Sequence, residues 1–151
     1  MVSTGSGRNK VTTTRAASLG LFLGGAAMLL CVAACRPDPS TARGTAEGFL
    51  DAHYVHIDLR SAIPFTSGLA RHKVESEMEL VKGQDIDDTT RKPTVHYTLL
   101  EERPDGDEAV SYLYRGSIAV DGADSFERRW LVTVRREPEG WRVTNYQELE
   151  P

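Results

Sequence analysis

His53 and His56 are the residues whose type and spacing most directly suggest chemistry in this chain. At about 100° per residue, His53 falls at the centre of an apolar helical arc made by Ala42, Ala46, Phe49, Leu50 and Ile57. A neutral imidazole there suits a general base, since its reference pKa of about 6.5 lies near neutrality. It equally suits a core histidine bonded to a tyrosine or a backbone carbonyl. Tyr54 flanks the arc, either as a donor at a cavity rim or as a packed aromatic with its hydroxyl in water. Glu77 lies inside the apolar arc of a later helix, where a carboxylate needs a partner. Two readings stand for it: an ion pair with Arg128, or a solvated charge at a rim. As metal ligands, His53 and His56 lack a matching Cys, His or carboxylate motif elsewhere, so no metal site is expected.

These candidates need elements to hold them. A first helix is expected over Thr41 to Ile57. Asp58 then caps a short second helix, Leu59 to Phe65, broken at Pro64. Ser67 caps a third, Gly68 to Lys82, closed by Gly83, with Ala70, Val74, Met78 and Val81 along its apolar arc and Leu69 and Leu80 at one side. Residues 84–93 are a polar loop. After Pro93 the period changes from helical to two. Val95, Tyr97 and Leu99 alternate, and Pro104-Asp105-Gly106-Asp107 turns the chain. A second strand, Ala109 to Val120, carries Val110, Tyr112, Tyr114, Ile118 and Val120 on one face. A third, Phe126 to Arg136, carries Phe126, Trp130, Val132 and Val134. A fourth, Trp141 to Leu149, presents Trp141 and Val143. Short turns join all four, so they form an antiparallel meander. Tyr97, Tyr112, Tyr114, Trp130 and Trp141 point inward and either fill the sheet's concave face or line a ligand pocket with polar tips. Arg128 shares that face. Three helices followed by a meander is an α+β pattern, with helices packed on one face of a four-stranded sheet.

The N-terminus addresses the protein. All three basic residues before Arg36 lie in the first fifteen positions, and no acidic residue precedes Asp38. Residues 16–34, AASLGLFLGGAAMLLCVAA, carry no charge. Basic region, apolar run and small residues in that order describe a secretory signal. The alternative is an uncleaved anchor, since a helix of that length spans about 28 Å. The run ends Val32-Ala33-Ala34-Cys35, which resembles the lipobox of bacterial lipoproteins. The resemblance implies that residues 1–34 are removed, that Cys35 is lipidated and becomes the first residue, and that the chain is anchored to a membrane through it. Cys31, the other cysteine, would leave with the signal, so no disulfide is expected. Arg36 stands where Asp favours inner-membrane retention in such lipoproteins, which tilts the address to the periplasmic face of the outer membrane. Residues 35–40 then form a short tether, and 41–151 the domain.

Residues Phe49-Leu50-x-Ala52-x-Tyr54-x-x-x-Asp58, and the closing Gly140-Trp141-Arg142-Val143-x-Asn145-Tyr146, resemble the nuclear transport factor 2-like superfamily, the cystatin-like cone. The resemblance spans about Thr41 to Leu149. It implies a curved sheet that wraps the helices and leaves a conical cavity. It does not select an activity, since the superfamily includes dehydratases, isomerases, cyclases and non-catalytic binding domains.

A net charge of −4 argues against a general nucleic-acid binder. No Gly-x-Gly-x-x-Gly, Gly-x-x-x-x-Gly-Lys-Ser/Thr or Gly-x-Ser-x-Gly occurs, so no cofactor is expected. The leading expectation is a non-enzymatic envelope lipoprotein whose cone contacts a protein partner or a small apolar ligand. The alternative is a small lyase or isomerase using His53 and a tyrosine hydroxyl. An open cone with His53 on its wall would favour the enzyme, and a cone plugged by aromatics the scaffold.

Overall fold

The structure, a computed structural model, describes residues 37–83 and 92–150. The leader, Cys35 and residues 84–91 lie outside the described residues. Helix α1 spans Ala42–Leu50, and Asp51–Val55 continue it as a π-helical turn. Helix α2 spans Leu59–Ala62 and passes into a 3₁₀ turn at Ile63–Phe65, where Pro64 sits in the first turn. Helix α3 spans Gly68–Leu80. Strands β1 (Thr94–Asp105), β2 (Ala109–Ala119), β3 (Phe126–Glu137) and β4 (Gly140–Leu149) pair in the order β1-β2-β3-β4, all antiparallel. This is the α+β arrangement expected from the change of period. Strand β1 is longer than its alternation suggested and runs through Pro104 to Asp105.

The core is one layer between helices and sheet. Ala46, Phe49 and Leu50 of α1 and Val74 of α3 pack against Tyr112, Tyr114, Trp130, Val132, Val134 and Val143 of the sheet, all buried. Gly116 has a defined part in this. A Cβ there would lie 2.2 Å from the edge of the Trp130 ring, so only glycine lets the indole lie across β2.

The caps differ in part from expectation. Asp58 caps α2 as expected, its Oδ1 accepting from the Ser61 N–H at 3.0 Å. Ser67 precedes α3, but its hydroxyl donates to Glu137 at 2.6 Å instead of capping the helix. The domain also begins before Thr41. The Asp38 carbonyl accepts from the Thr41 N–H and hydroxyl, and the Pro39 carbonyl accepts from the buried Thr45 hydroxyl at 3.0 Å. Gly44 leaves room for that turn, since a Cβ there would overlap the Asp38 carbonyl. Residues 38–40 are therefore part of the fold and not a free tether.

Two bulges bend the sheet. In β1 the register shifts between Leu99 and Glu101, and in β4 the shift opposite Thr133 and Val134 leaves Thr144 unpaired. A bulge turns every following side chain to the other face. Past Thr144 the inward positions of β4 become Tyr146 and Glu148, not Asn145 and Gln147. Tyr146 is consequently buried.

Candidate functional site

A cavity of about 1310 Å³ opens between the end of α3, the loop after the π turn, and the sheet. Val95, Ile118, Phe126 and Trp130 form its sheet wall, and Met78 and Leu80 line it from α3. Ile57, Leu80, Val81 and Phe126 stand exposed around it, four of the six large apolar side chains that are exposed among the described residues. Apolar side chains left in water at one mouth mark a place where something else covers them. Ile57 also adopts φ +53°, the left-handed region that a β-branched residue avoids at a cost of about 1–2 kcal/mol. Strain of this kind gathers at functional sites.

The π turn determines which side chains reach the cavity. Its wider spacing carries the His56 N–H onto the Asp51 carbonyl and brings both His53 and Tyr54 to the sheet side. Tyr54 stacks on Trp130, ring centroids 4.3 Å apart and 21° between planes. Burial pushes its phenol up, and the nearby Glu148 and Glu77 charges push the same way. Trp130 Nε1 and Tyr114 Oη are buried without a hydrogen-bond partner among the described residues.

His53 and Glu77 come together. Nε2 of His53 lies 2.6 Å from Glu77 Oε2, and the Tyr146 hydroxyl donates to Glu77 Oε1 at 2.6 Å. Each carboxyl oxygen of Glu77 thus faces one group able to donate to it. We assign the proton of the neutral imidazole to Nε2, where Glu77 can accept it. Its Nδ1 is buried with no partner among the described residues. Burial holds the ring's pKa below its usual 6.5, although the Glu77 charge and hydrogen bond pull it upward. A second proton would put an unpaired N–H at Nδ1, so geometry agrees that burial wins. The His53 ring is enclosed by Phe49, Tyr54 and Tyr146 at centroid distances of 5.1, 4.4 and 5.2 Å. Lys73 donates to the Asn145 side chain and to the Tyr146 carbonyl, holding the end of β4 against α3.

Neither reading of Glu77 from sequence matches this. Arg128 is 2.8 Å from Glu148, and Glu77 is a half-exposed carboxylate with two fixed donors, not a simple solvated charge. His53 has a carboxylate partner where a tyrosine or backbone carbonyl was expected. Arg128 and Trp130 do line the cavity, but Tyr97, Tyr112 and Tyr114 do not. Tyr97 donates to Asp51 at 2.8 Å and meets Tyr114 edge-on, and Tyr112 and Tyr114 are buried between α1 and the sheet. Burial pushes the Tyr112 phenol up to about 12. His56 lies at the mouth. Among the described residues no group of three or more potential ligands surrounds either histidine. Tyr146 and Glu148 escaped the sequence reading because their inward direction depends on the Thr144 bulge, and Tyr146 carried only the weak signal of closing the quoted strand motif.

No family model and no curated protein matches the chain. Solved structures do. A domain of unknown function with a cystatin-like fold from Nostoc punctiforme is 12% identical over 72% of this chain and 74% of its own, at a TM-score of 0.56. An NTF-2-like protein of unknown function from Shewanella oneidensis is 11% identical over 70% of this chain and 93% of its own, at 0.52. A ketosteroid isomerase-like protein from Erwinia carotovora is 13% identical over 75% of this chain and 97% of its own, also at 0.52. At such identities the likeness establishes the fold alone: an α+β cystatin-like, NTF-2-like cone.

Proposed function

We propose that this chain is a non-catalytic binding protein of the bacterial envelope, anchored through lipid on Cys35, whose cone holds a small apolar molecule. The observation that carries the binding reading is the state of His53. The cone is open and His53 is on its wall, which by the sequence argument favours an enzyme. Yet Nε2 is engaged by Glu77 and Nδ1 is sealed from solvent, so no substrate proton has a free nitrogen to reach. What the cavity offers instead is an apolar wall, an exposed apolar rim and a volume at or above that of small-ligand sites, roughly 300–1,000 Å³. The anchor reading is supported by the sequence Val32-Ala33-Ala34-Cys35 after an apolar run, and Arg36 supports the outer-membrane address.

Titration calorimetry with a small aromatic alcohol such as phenylbutanol tests the binding reading. Saturable one-site binding that Trp130→Ala weakens is expected. Absence of saturable binding of apolar probes would sink it. A second reading, a small lyase or isomerase, passes from His53 to Glu77, because Glu77 is the carboxylate that both meets the cavity and is fixed by two donors. Exchange of solvent deuterium into a cavity-sized ketone, lost in Glu77→Gln, would favour it.

A further inference from the structure

The charges of the cavity are unequally compensated. Arg128 is paired with Glu148 at 2.8 Å, and Lys82 with Glu79 at 3.3 Å. Asp58 accepts from Ser61 in open solvent beside Arg60. Glu77 differs. Its partners are a tyrosine hydroxyl and an imidazole that burial keeps neutral, and neither brings a positive charge. Lys73, one helical turn earlier, is committed to Asn145 and Tyr146, with its ammonium 5.1 Å from the Tyr146 ring centre. Among the described residues no Lys or Arg lies within ion-pair distance of Glu77. Arg60 and Lys92 also line the cavity, but as exposed side chains, whereas Glu77 is half-buried. A carboxylate with no cationic partner among the described residues therefore stands on the cavity wall, in the same lining as the stacked Tyr54 and Trp130 rings.

We infer that the ligand is an organic monocation: an amine on an aromatic or aliphatic body. This rests on the binding reading above and adds the charge of the ligand to it. The ammonium sits on Glu77, and the body lies along Trp130, Phe126 and Ile118. A charge-assisted bond to a carboxylate is stronger than the bond an alcohol makes, and the partly enclosed site limits screening. An anion in the same place meets the Glu77 charge directly. The cations it could turn to are Arg128, which holds Glu148, and the exposed Arg60, Lys82 and Lys92, whose charges water screens.

The test uses the full chain in phosphatidylcholine nanodiscs, with empty nanodiscs as the reference. Phenylbutylamine, phenylbutanol and phenylbutanoate are titrated by calorimetry at neutral pH. The amine is expected to bind about tenfold more tightly than the alcohol, and the carboxylate most weakly. Added salt should weaken the amine and leave the alcohol unaffected. Glu77→Gln, checked for folding by circular dichroism, should remove the preference for the amine. An alcohol or carboxylate that binds as tightly as the amine overturns this inference and leaves the binding reading standing. A preference for the amine that persists in folded Glu77→Gln also overturns it. If none of the three binds, the binding reading itself falls. The wild-type series decides the matter even where Glu77→Gln does not fold.

Discussion

His53 Nε2 and Glu77 Oε2 lie 2.6 Å apart, joining the π turn after α1 to α3 across 24 positions of sequence. Burial of the ring, against the pull of the carboxylate, keeps His53 neutral. With the ring proton assigned to Nε2, the buried neutral imidazole faces the Glu77 carboxyl group as its donor.

This contact makes stability depend on acid. Burial holds the His53 pKa below its unfolded value of 6.5. Between the folded pKa and 6.5 the unfolded chain therefore binds more protons than the folded one. Its contribution is complete above 6.5 and is lost as pH falls below that value toward the folded pKa. Urea denaturation from about pH 8 to about pH 5 should show the midpoint falling in that window. His53→Gln keeps an N–H donor for Glu77 and cannot titrate, so it should flatten this part of the profile. An equal slope in both proteins would contradict the assignment.

His53→Ala removes the Glu77 donor and the ring packed among Phe49, Tyr54 and Tyr146. The combined loss should be about 1–4 kcal/mol, read as a clearly lower melting temperature. An unchanged or raised melting temperature would mean that His53 is held for catalysis and not for structure.

Gly116→Ala places a methyl 2.2 Å from the Trp130 ring, inside contact distance. Trp130 is buried and stacked on Tyr54, so it cannot retreat freely. A loss of about 1–3 kcal/mol is expected, with a shift in tryptophan fluorescence. A variant as stable as the wild type would show that the indole does not lie across Gly116.

Starting the chain at Ser40 instead of Pro37 removes the carbonyls of Asp38 and Pro39. The Thr45 hydroxyl, buried, then loses its acceptor. The shorter chain should be about 1–2 kcal/mol less stable by chemical denaturation. Equal stability would return residues 38–40 to the status of a tether.

Cys35→Ser should abolish incorporation of labelled palmitate and leave an unprocessed precursor. Label entering the serine variant, or a mature form beginning elsewhere, would remove the lipoprotein reading.

Much of the fold was legible before the structure because its signals are local. Helical spacing around Phe49 and Val74, alternation from Val95 onward, and turns at Gly106, Gly122 and Gly140 are each written within a few residues. Asp58 could be read as a cap because a cap acts over one turn. His53 and Glu77 could be singled out, since each is a polar group on an apolar arc. Their pairing could not. It depends on where α1 and α3 each settle on β4, which core packing decides, and on a π turn that no residue type announces. Tyr146 was hidden for a related reason. Strand alternation is a local rule, but a bulge at Thr144 arises from matching β4 to β3, and one unpaired residue reverses every direction after it. Tyr97, Tyr112 and Tyr114 were correctly placed on the inward face, yet that face continues beneath α1 before it opens into the cavity. The sequence by itself determined the elements and their inward faces. Only tertiary packing decided which inward residues meet one another and which meet empty space.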